Sequence, residues 1–241
     1  MRAIILAGGK GTRLKPYTVS LPKPLVPIGD ELPIIEVLIK QLARTGFMHI
    51  TIAVNHLANL IMAFCADGSR WGVKINYSIE SKNLSTIAPL ALIPDLPENF
   101  LVLNGDLFCN LDFALFYEYH LERGNDVTVA TRRRSVQIDF GTLQYDDGNR
   151  IVQFSEKPIH EFDVSMGVYC LNRRVVSHLD PEIPYGFDNL MIDGIRSALK
   201  IEAYPFNGYW LDIGRPEDYE QANLDYPRLS KEWGLQAQKE Y

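Results

Sequence analysis

The amino-acid sequence predicts an α/β fold, a mostly parallel sheet with helices on both faces, and three observations carry that prediction. Residues 2–7 (RAIILA) are a continuous apolar run that stops at Gly8 and Gly9, the pattern of a buried parallel strand entering a turn. From there to residue 137 short apolar runs alternate with segments of helical spacing, which implies βαβ connections. Past residue 138 the texture changes to hairpin and strand, an α+β part attached to the first sheet.

Each element has its own signal. Residues 34–47 place Ile35, Leu38, Ile39 and Leu42 on one face with Gly46 as the stop, which predicts a helix. A strand over 49–55 (HITIAVN) follows, then a helix over 57–72 that ends in a polar turn, and a strand over 73–80. Residues 100–106 (FLVLNGD) are apolar until they deliver Asn104, Gly105 and Asp106 at the strand's end. A helix over 111–124 leads to a strand over 126–134. Residues 140–158 predict a hairpin turning at DDGN, and 164–172 predict another strand. A helix over 187–199 precedes the stretch IEAYPFNGYWLDIG.

Composition narrows the function classes. With 241 residues, 46% apolar, the chain can bury one large α/β core. A net charge of −6 argues against nucleic acid, whose phosphates call for a cationic surface. No apolar run reaches the about 18–20 residues of a membrane span, and MRAIIL meets glycines too early for a signal peptide. Cys65, Cys109 and Cys170 are isolated and odd in number, which fits free thiols in the cytoplasm.

Residues 8–14 (GGKGTRL) carry the first chemistry. A Walker A loop needs GxxxxGK[ST], which is missing, and a dinucleotide fingerprint needs a third glycine where Leu14 stands. A nucleotide-transferase loop fits: glycines admit a triphosphate to the main-chain N–H groups while Arg13 reaches its phosphates. Pro22, Pro24 and Pro27 stiffen the following segment and hold Lys23 near that loop. No Ser/His/Asp arrangement for nucleophilic catalysis is present.

GGKGTRL at 8–14, PKP at 22–24, NGD at 104–106, EKP at 156–158 and YWLDIGRPEDY at 209–219 together resemble the sugar-1-phosphate nucleotidylyltransferases, or NDP-sugar pyrophosphorylases. The order and spacing hold over residues 1–224, and the resemblance is greatest to the short bacterial enzymes that make GDP-mannose or GDP-heptose. It implies a Rossmann-like mixed, mostly parallel sheet with an α+β sugar-binding subdomain. The implied division is a nucleotide-binding core at about 1–137, a sugar-binding part at about 138–208, a return to the metal site at 209–224, and a short helical tail at 225–241. The β-helical extension of longer relatives is expected to be absent.

The same resemblance implies roles by position. Leu6, Ala7, Gly8, Gly9, Gly11, Thr12, Glu80, Ser85, Thr86, Asn104 and Gly105 would bind the nucleotide. Arg13 would hold the leaving pyrophosphate, and Lys23 would offset charge building on the α-phosphate. Asp106 and Asp212 would share a Mg2+ ion. Gly141, Glu156, Lys157 and Gly167 would bind the sugar phosphate, with Lys157 on its phosphate. A homodimer is the oligomer it allows.

The base-binding segment departs from the family pattern. Where relatives read LGTAGAL, this chain has Leu84, Ser85, Thr86, Ile87, Ala88, Pro89 and Leu90, so a side chain stands where a glycine is usual. GTP is the expected nucleotide, because Glu80 offers a carboxylate to the N1–H and amino group of guanine. The alternatives are UTP, dTTP or CTP, a non-sugar phosphorylated acceptor, or a non-catalytic nucleotide-sugar sensor. The aromatic residues, Trp71 and Trp210 among them, are expected in the core. Arg132, Arg133 and Arg134 read as a solvated loop or part of a subunit contact, and the five histidines as surface or half-buried groups.

Overall fold

The computed structural model describes residues 1–29 and 31–234. Strand β1 (Arg2–Ala7) is followed by a small ribbon of β2 (Pro27–Ile28) and β3 (Leu32–Pro33), then helix α1 (Ile34–Arg44) and β4 (His49–Val54). Helix α2 (Ala58–Cys65), β5 (Lys74–Ile79), β6 (Asn99–Asn104), β7 (Leu107–Cys109), α3 (Phe113–Arg123) and β8 (Val127–Gln137) complete the first half. The second half contains β9 (Thr142–Tyr145), β10 (Ile151–Ser155), β11 (Ile159–Asn172), α4 (Phe187–Arg196), β12 (Ile201–Pro205), β13 (Trp210–Asp212) and α5 (Pro216–Glu232).

Seven strands form one mixed sheet in the order β12-β8-β11-β6-β1-β4-β5. β1 runs parallel to both β4 and β6, and Ala3, Ile4 and Ile5 are fully buried, as a strand covered on both faces requires. Ile35, Leu38, Ile39 and Leu42 of α1 are buried against the sheet, and Ile34 and Val37 against a second cluster with Ile28, Leu32 and Tyr226, each worth about 1.5–3 kcal/mol over exposure. From β1 the chain steps outward through β4 to β5, then returns to place β6 on the other flank of β1. That reversal is a topological switch point, where open α/β sheets form a crevice beyond the carboxyl ends of the strands.

β11 is antiparallel to β6 and β8, which makes the sheet mixed. Only its last part, Val168 to Asn172, lies against β6; residues 159–165 pair with β8 alone, as a two-stranded arm. The arm carries the separate antiparallel hairpin of β9 and β10. A second ribbon pairs β13 with β7 and sets Asp212 opposite Leu107, the residue after Asp106.

Several elements differ from the sequence expectation. α2 is shorter than 57–72 because Ala66, at φ 47°, leaves the helical region and a 3-10 turn follows at Ser69–Trp71. Arg132, Arg133 and Arg134 lie within β8 rather than in a loop. Arg133 pairs with Asp163 across the arm at 3.0 Å, and Arg134 lies 5.2 Å above the Trp210 ring. His120 is neither surface nor half-buried: it is fully buried, held by Thr128 at 2.8 Å and Asn99 at 3.0 Å. The boundary expected at residue 224 falls inside α5, which buries Ala222, Tyr226 and Leu229, while 235–241 lie outside the described residues. Among the described residues no helix is long and apolar enough to cross a membrane.

Candidate active site

β1 ends at Ala7, and the chain turns through Gly8, Gly9, Lys10 and Gly11 into a 3-10 turn at Thr12–Leu14. Leu6, Ala7 and the whole loop through Arg13 line a cavity of about 480 Å³ at the switch point. Glu80, Ser85, Thr86, Asn104, Gly105 and Asp106 line it too, as do Lys23, Pro24, Asn55, Asn83 and Gly214. The structure therefore brings together every nucleotide-side residue that the sequence singled out. The backbone ties these pieces in place: Gly105 N donates to Leu6 O at 2.9 Å, and Thr18 Oγ1 to Gly11 O at 2.7 Å.

Gly8 leaves room for the Glu80 carboxylate. A Cβ at residue 8 would come within 2.8 Å of Glu80 Oε1 and 3.3 Å of the Asn55 side chain. Glu80 follows β5 and is 8% exposed, and its burial pushes the carboxyl above the usual carboxylate range. A buried acceptor lining a cavity has hydrogen-bonding capacity to offer a donor-bearing ligand.

Ser85 adopts φ 69°, the left-handed conformation in which glycine is at home. Its N–H donates to Asn83 Oδ1 at 3.1 Å. Its neighbours tie the segment to the start of α4: Tyr185 N donates to Leu84 O at 3.1 Å and Phe187 N to Thr86 Oγ1 at 2.8 Å. Ile87 turns away from the cavity and is fully buried with Ile4 and Leu90. Of the two unusual residues in this segment, only Ser85 meets the site.

Lys23 opens a 3-10 turn bracketed by prolines, is 8% exposed, and ion-pairs with Asp106 Oδ2. The other oxygen, Asp106 Oδ1, is buried with no hydrogen-bond partner among the described residues. Asp212 stands beside this pair, since Ile213 N donates to Asp106 O at 3.1 Å. Its carboxyl is pushed above the usual range by burial and then by the Asp106 charge, while Lys23 and Arg13 pull it down. A Cβ on Gly214 would lie 3.3 Å from Asp212 Oδ2 and 3.6 Å from Arg13 Nη2, so the guanidinium belongs to the same cluster.

Two converging carboxylates, one with an orphaned buried oxygen, fit a cation. No group of three His, Cys, Asp or Glu gathers among the described residues, so a cation here would complete its shell with water or phosphate oxygens. That is the habit of Mg2+.

The sugar-side residues are less tightly gathered. Gly167 is buried at φ 76°, and a Cβ there would meet Asn104 Nδ2 at 2.6 Å, which joins it to the cavity wall. Gly141 lies against the Phe154 ring and Glu156, at the root of the hairpin. Glu156 and Lys157 are exposed and do not line the cavity; Lys157 has φ 44°, a strained setting for a lysine. Lys10, Asn55, Asn83 and Gly214 were missed by the sequence reading. Lys10 stood inside the loop motif, and Asn55 carried a signal, as the residue just past a parallel strand's carboxyl end.

Comparison with known proteins places this arrangement. Residues 2–228 match the family model described as nucleotidyl transferase. The chain is similar to the mannose-1-phosphate guanyltransferase of Schizosaccharomyces pombe, 32% identical over 91% of this chain and 62% of that protein. It is also similar to the UTP–glucose-1-phosphate uridylyltransferase of Synechocystis, 33% identical over 92% of this chain and 62% of the relative. It thus spans less than two thirds of these relatives. HddC of Yersinia pseudotuberculosis superposes with a TM-score of 0.72 at 26% identity, covering 93% of this chain and 99% of HddC. The same protein complexed with GMP-PN superposes with a TM-score of 0.69.

Proposed function

The chain belongs to the nucleotidyl transferase family, and from that premise we propose that it transfers a nucleotidyl group from GTP to a sugar 1-phosphate, giving a GDP-sugar and pyrophosphate. One observation carries the reading: a single cavity combines a glycine loop after the first strand, a buried lysine and Asp106, with Asp212 beside Asp106 just outside the lining. The relatives named as guanyltransferases and the HddC complex with GMP-PN support the nucleotide, as does Glu80. A carboxylate accepts from both the N1–H and the amino group of guanine, whereas adenine offers it only the N6 amino group.

Two polyanions must meet in this cavity. Two unit charges at 4 Å repel by about 1 kcal/mol in water and by more once water is excluded. The main-chain N–H groups from Gly8 to Gly11 receive the triphosphate, and Arg13 takes charge that grows on the departing pyrophosphate. Lys23 serves the α-phosphate from its seat beside Asp106. Asp106 and Asp212 would hold Mg2+, which would supply further charge neutralisation. Gly141, Gly167 and Glu156 receive the sugar, and Lys157 its phosphate. An oxygen of that phosphate forms the new bond to the α-phosphorus as the bond to pyrophosphate breaks. A phosphate dianion needs no base to attack, so positioning and electrostatics carry the catalysis.

In this reading the nucleotide side is about 1–137, the sugar side 138–208, and 209–224 returns Asp212 to the metal. Three buried free thiols suit a reducing compartment such as the cytoplasm. The test is pyrophosphate release with Mg2+, crossing GTP, UTP, dTTP, CTP and ATP against a panel of sugar 1-phosphates. Release with GTP and one sugar phosphate, and loss of the GTP preference in Glu80→Gln, is the expected result. Release with UTP alone would reassign the base, and no release with nucleotide still bound would point to a sensor.

A further inference from the structure

Arg132, Arg133 and Arg134 stand in a row on β8, and their surroundings differ. Arg133 pairs with Asp163 at 3.0 Å and with Glu161 at 3.6 Å across the arm. Arg132 donates to Phe206 O at 3.2 Å. Arg134 has neither a carboxylate nor a hydrogen-bond partner among the described residues; its guanidinium lies 5.2 Å above the Trp210 ring. The register explains the contrast. Phe162 stands opposite Arg134 and Val164 opposite Arg132, whereas Asp163 stands opposite Arg133 and Glu161 opposite Ser135. Opposed residues share a face and successive residues alternate, so both carboxylates fall on the Arg133 face. The other face carries two guanidiniums and no acid, in a chain of net charge −6.

The Trp210 ring ties that face to the site. Trp210 and Asp212 are two residues apart on β13, so their side chains leave the strand on the same side. Trp210 Nε1 donates to Met166 O at 3.0 Å, and Met166 precedes Gly167, which abuts Asn104 of the cavity wall. A guanidinium whose face lies on an indole keeps its in-plane N–H groups for oxygens, and its fork matches a phosphate. We propose that Arg134 binds the phosphate of the sugar 1-phosphate, as a second cation beside Lys157. The proposal rests on the nucleotidyl-transfer reading above. A phosphate monoester carries about −1.5 to −2 charge at pH 7, and Lys157 offsets one unit of it. The same phosphate must approach Asp106 and Asp212, and Arg134 supplies the charge that Lys157 leaves unmet.

Pyrophosphate release with saturating GTP and varied mannose 1-phosphate, or the sugar 1-phosphate turned over fastest, tests it on the full chain. Arg134→Gln is expected to raise KM for the sugar phosphate about 10-fold or more, the worth of a hydrogen bond to a charged group, with kcat and the GTP KM unchanged. Arg134→Lys keeps the charge and should recover part of that loss. Arg133→Gln, on the opposite face, should leave the sugar-phosphate KM alone. An Arg134→Gln protein with the wild-type KM overturns the proposal, and so does one in which both KM values rise together. Calorimetric titration of the same sugar phosphate separates this outcome from failure of the transfer reading, because binding needs no turnover. If wild type binds it without releasing pyrophosphate, only the transfer reading falls; weaker binding by Arg134→Gln then supports the proposal, and equal binding overturns it. A wild type that binds no sugar 1-phosphate of the panel overturns both.

Discussion

The cavity at the switch point and the arm that bears Glu156 and Lys157 are held on different terms. In the cavity the central charges rest on buried structure, while Arg13 at the rim is exposed: Glu80 and Lys23 are each 8% exposed, and Asp106 follows a strand with four buried side chains. The arm is two strands wide, and Gly141, Glu156 and Lys157 sit in solvent at the root of its hairpin. In the proposed reading a triphosphate would meet a site set by the core, whereas a sugar phosphate would meet exposed groups on the arm. Preorganised charge stabilises a transition state, while exposed groups mostly set affinity. The two regions should then fail differently when mutated.

The largest effect belongs to the cavity. Asp106→Asn is expected to lower kcat about 1,000-fold, comparable to removing a preorganised charge-stabilising group. The fold should survive, because the Asp106 charge is one of the causes that hold the Asp212 carboxyl up. Once that charge is gone, Asp212 ionises more readily and offers Lys23 a partner. Near-normal kcat with normal Mg2+ dependence would break the distinction between the regions.

The strut between the regions should respond to acid. His120 joins Asn99, where β6 begins, to Thr128 in β8, the strand that continues into the arm. Burial pulls its imidazole down to about 4, against the partial opposition of Asp126. As pH falls below about 6.5 the unfolded chain takes up a proton that the folded chain refuses until about pH 4. Stability is therefore lost across that window, by up to about 3 kcal/mol, and no further below it. Urea unfolding at several pH values should show that slope in wild type and lose it in His120→Gln.

On the arm, Lys157→Ala should raise KM for the sugar phosphate about 10- to 100-fold, the worth of a hydrogen bond to a charged group. The nucleotide KM and kcat should change little. A rise confined to the nucleotide KM would move Lys157 to the cavity side and erase the contrast.

How much of this was legible in the sequence follows the same divide. Residues 2–7, 49–55 and 100–106 are buried on both faces, and continuous apolar runs announce such strands. Their carboxyl ends then located the loop at 8–13 and Asp106 without any coordinates. Arg132, Arg133 and Arg134 hid the extension of β8, because an exposed two-sided arm has no burial pattern to read. His120 gave no warning either, since its partners Asn99 and Thr128 are adjacent only in the fold. The pairing of β13 with β7, which carries Asp212 to Asp106, joins residues a hundred positions apart through strands of three residues each, too short for periodicity to register.

The smallest effect sharpens the cavity itself. Ser85 holds φ 69°, and a non-glycine residue there bears about 1–2 kcal/mol of backbone strain. Glycine would relieve that strain but lose about 0.5–1 kcal/mol through the greater freedom of the unfolded chain. Ser85→Gly is therefore expected to stabilise the protein by no more than about 1 kcal/mol, a rise of a few degrees in Tm. Ser85→Ala keeps the strain and removes only the hydroxyl. If that hydroxyl bonds the nucleotide, both variants weaken nucleotide binding by a similar factor. If the side chain merely crowds the base, glycine tightens binding and alanine does not, and titration of GTP into the three proteins separates the two.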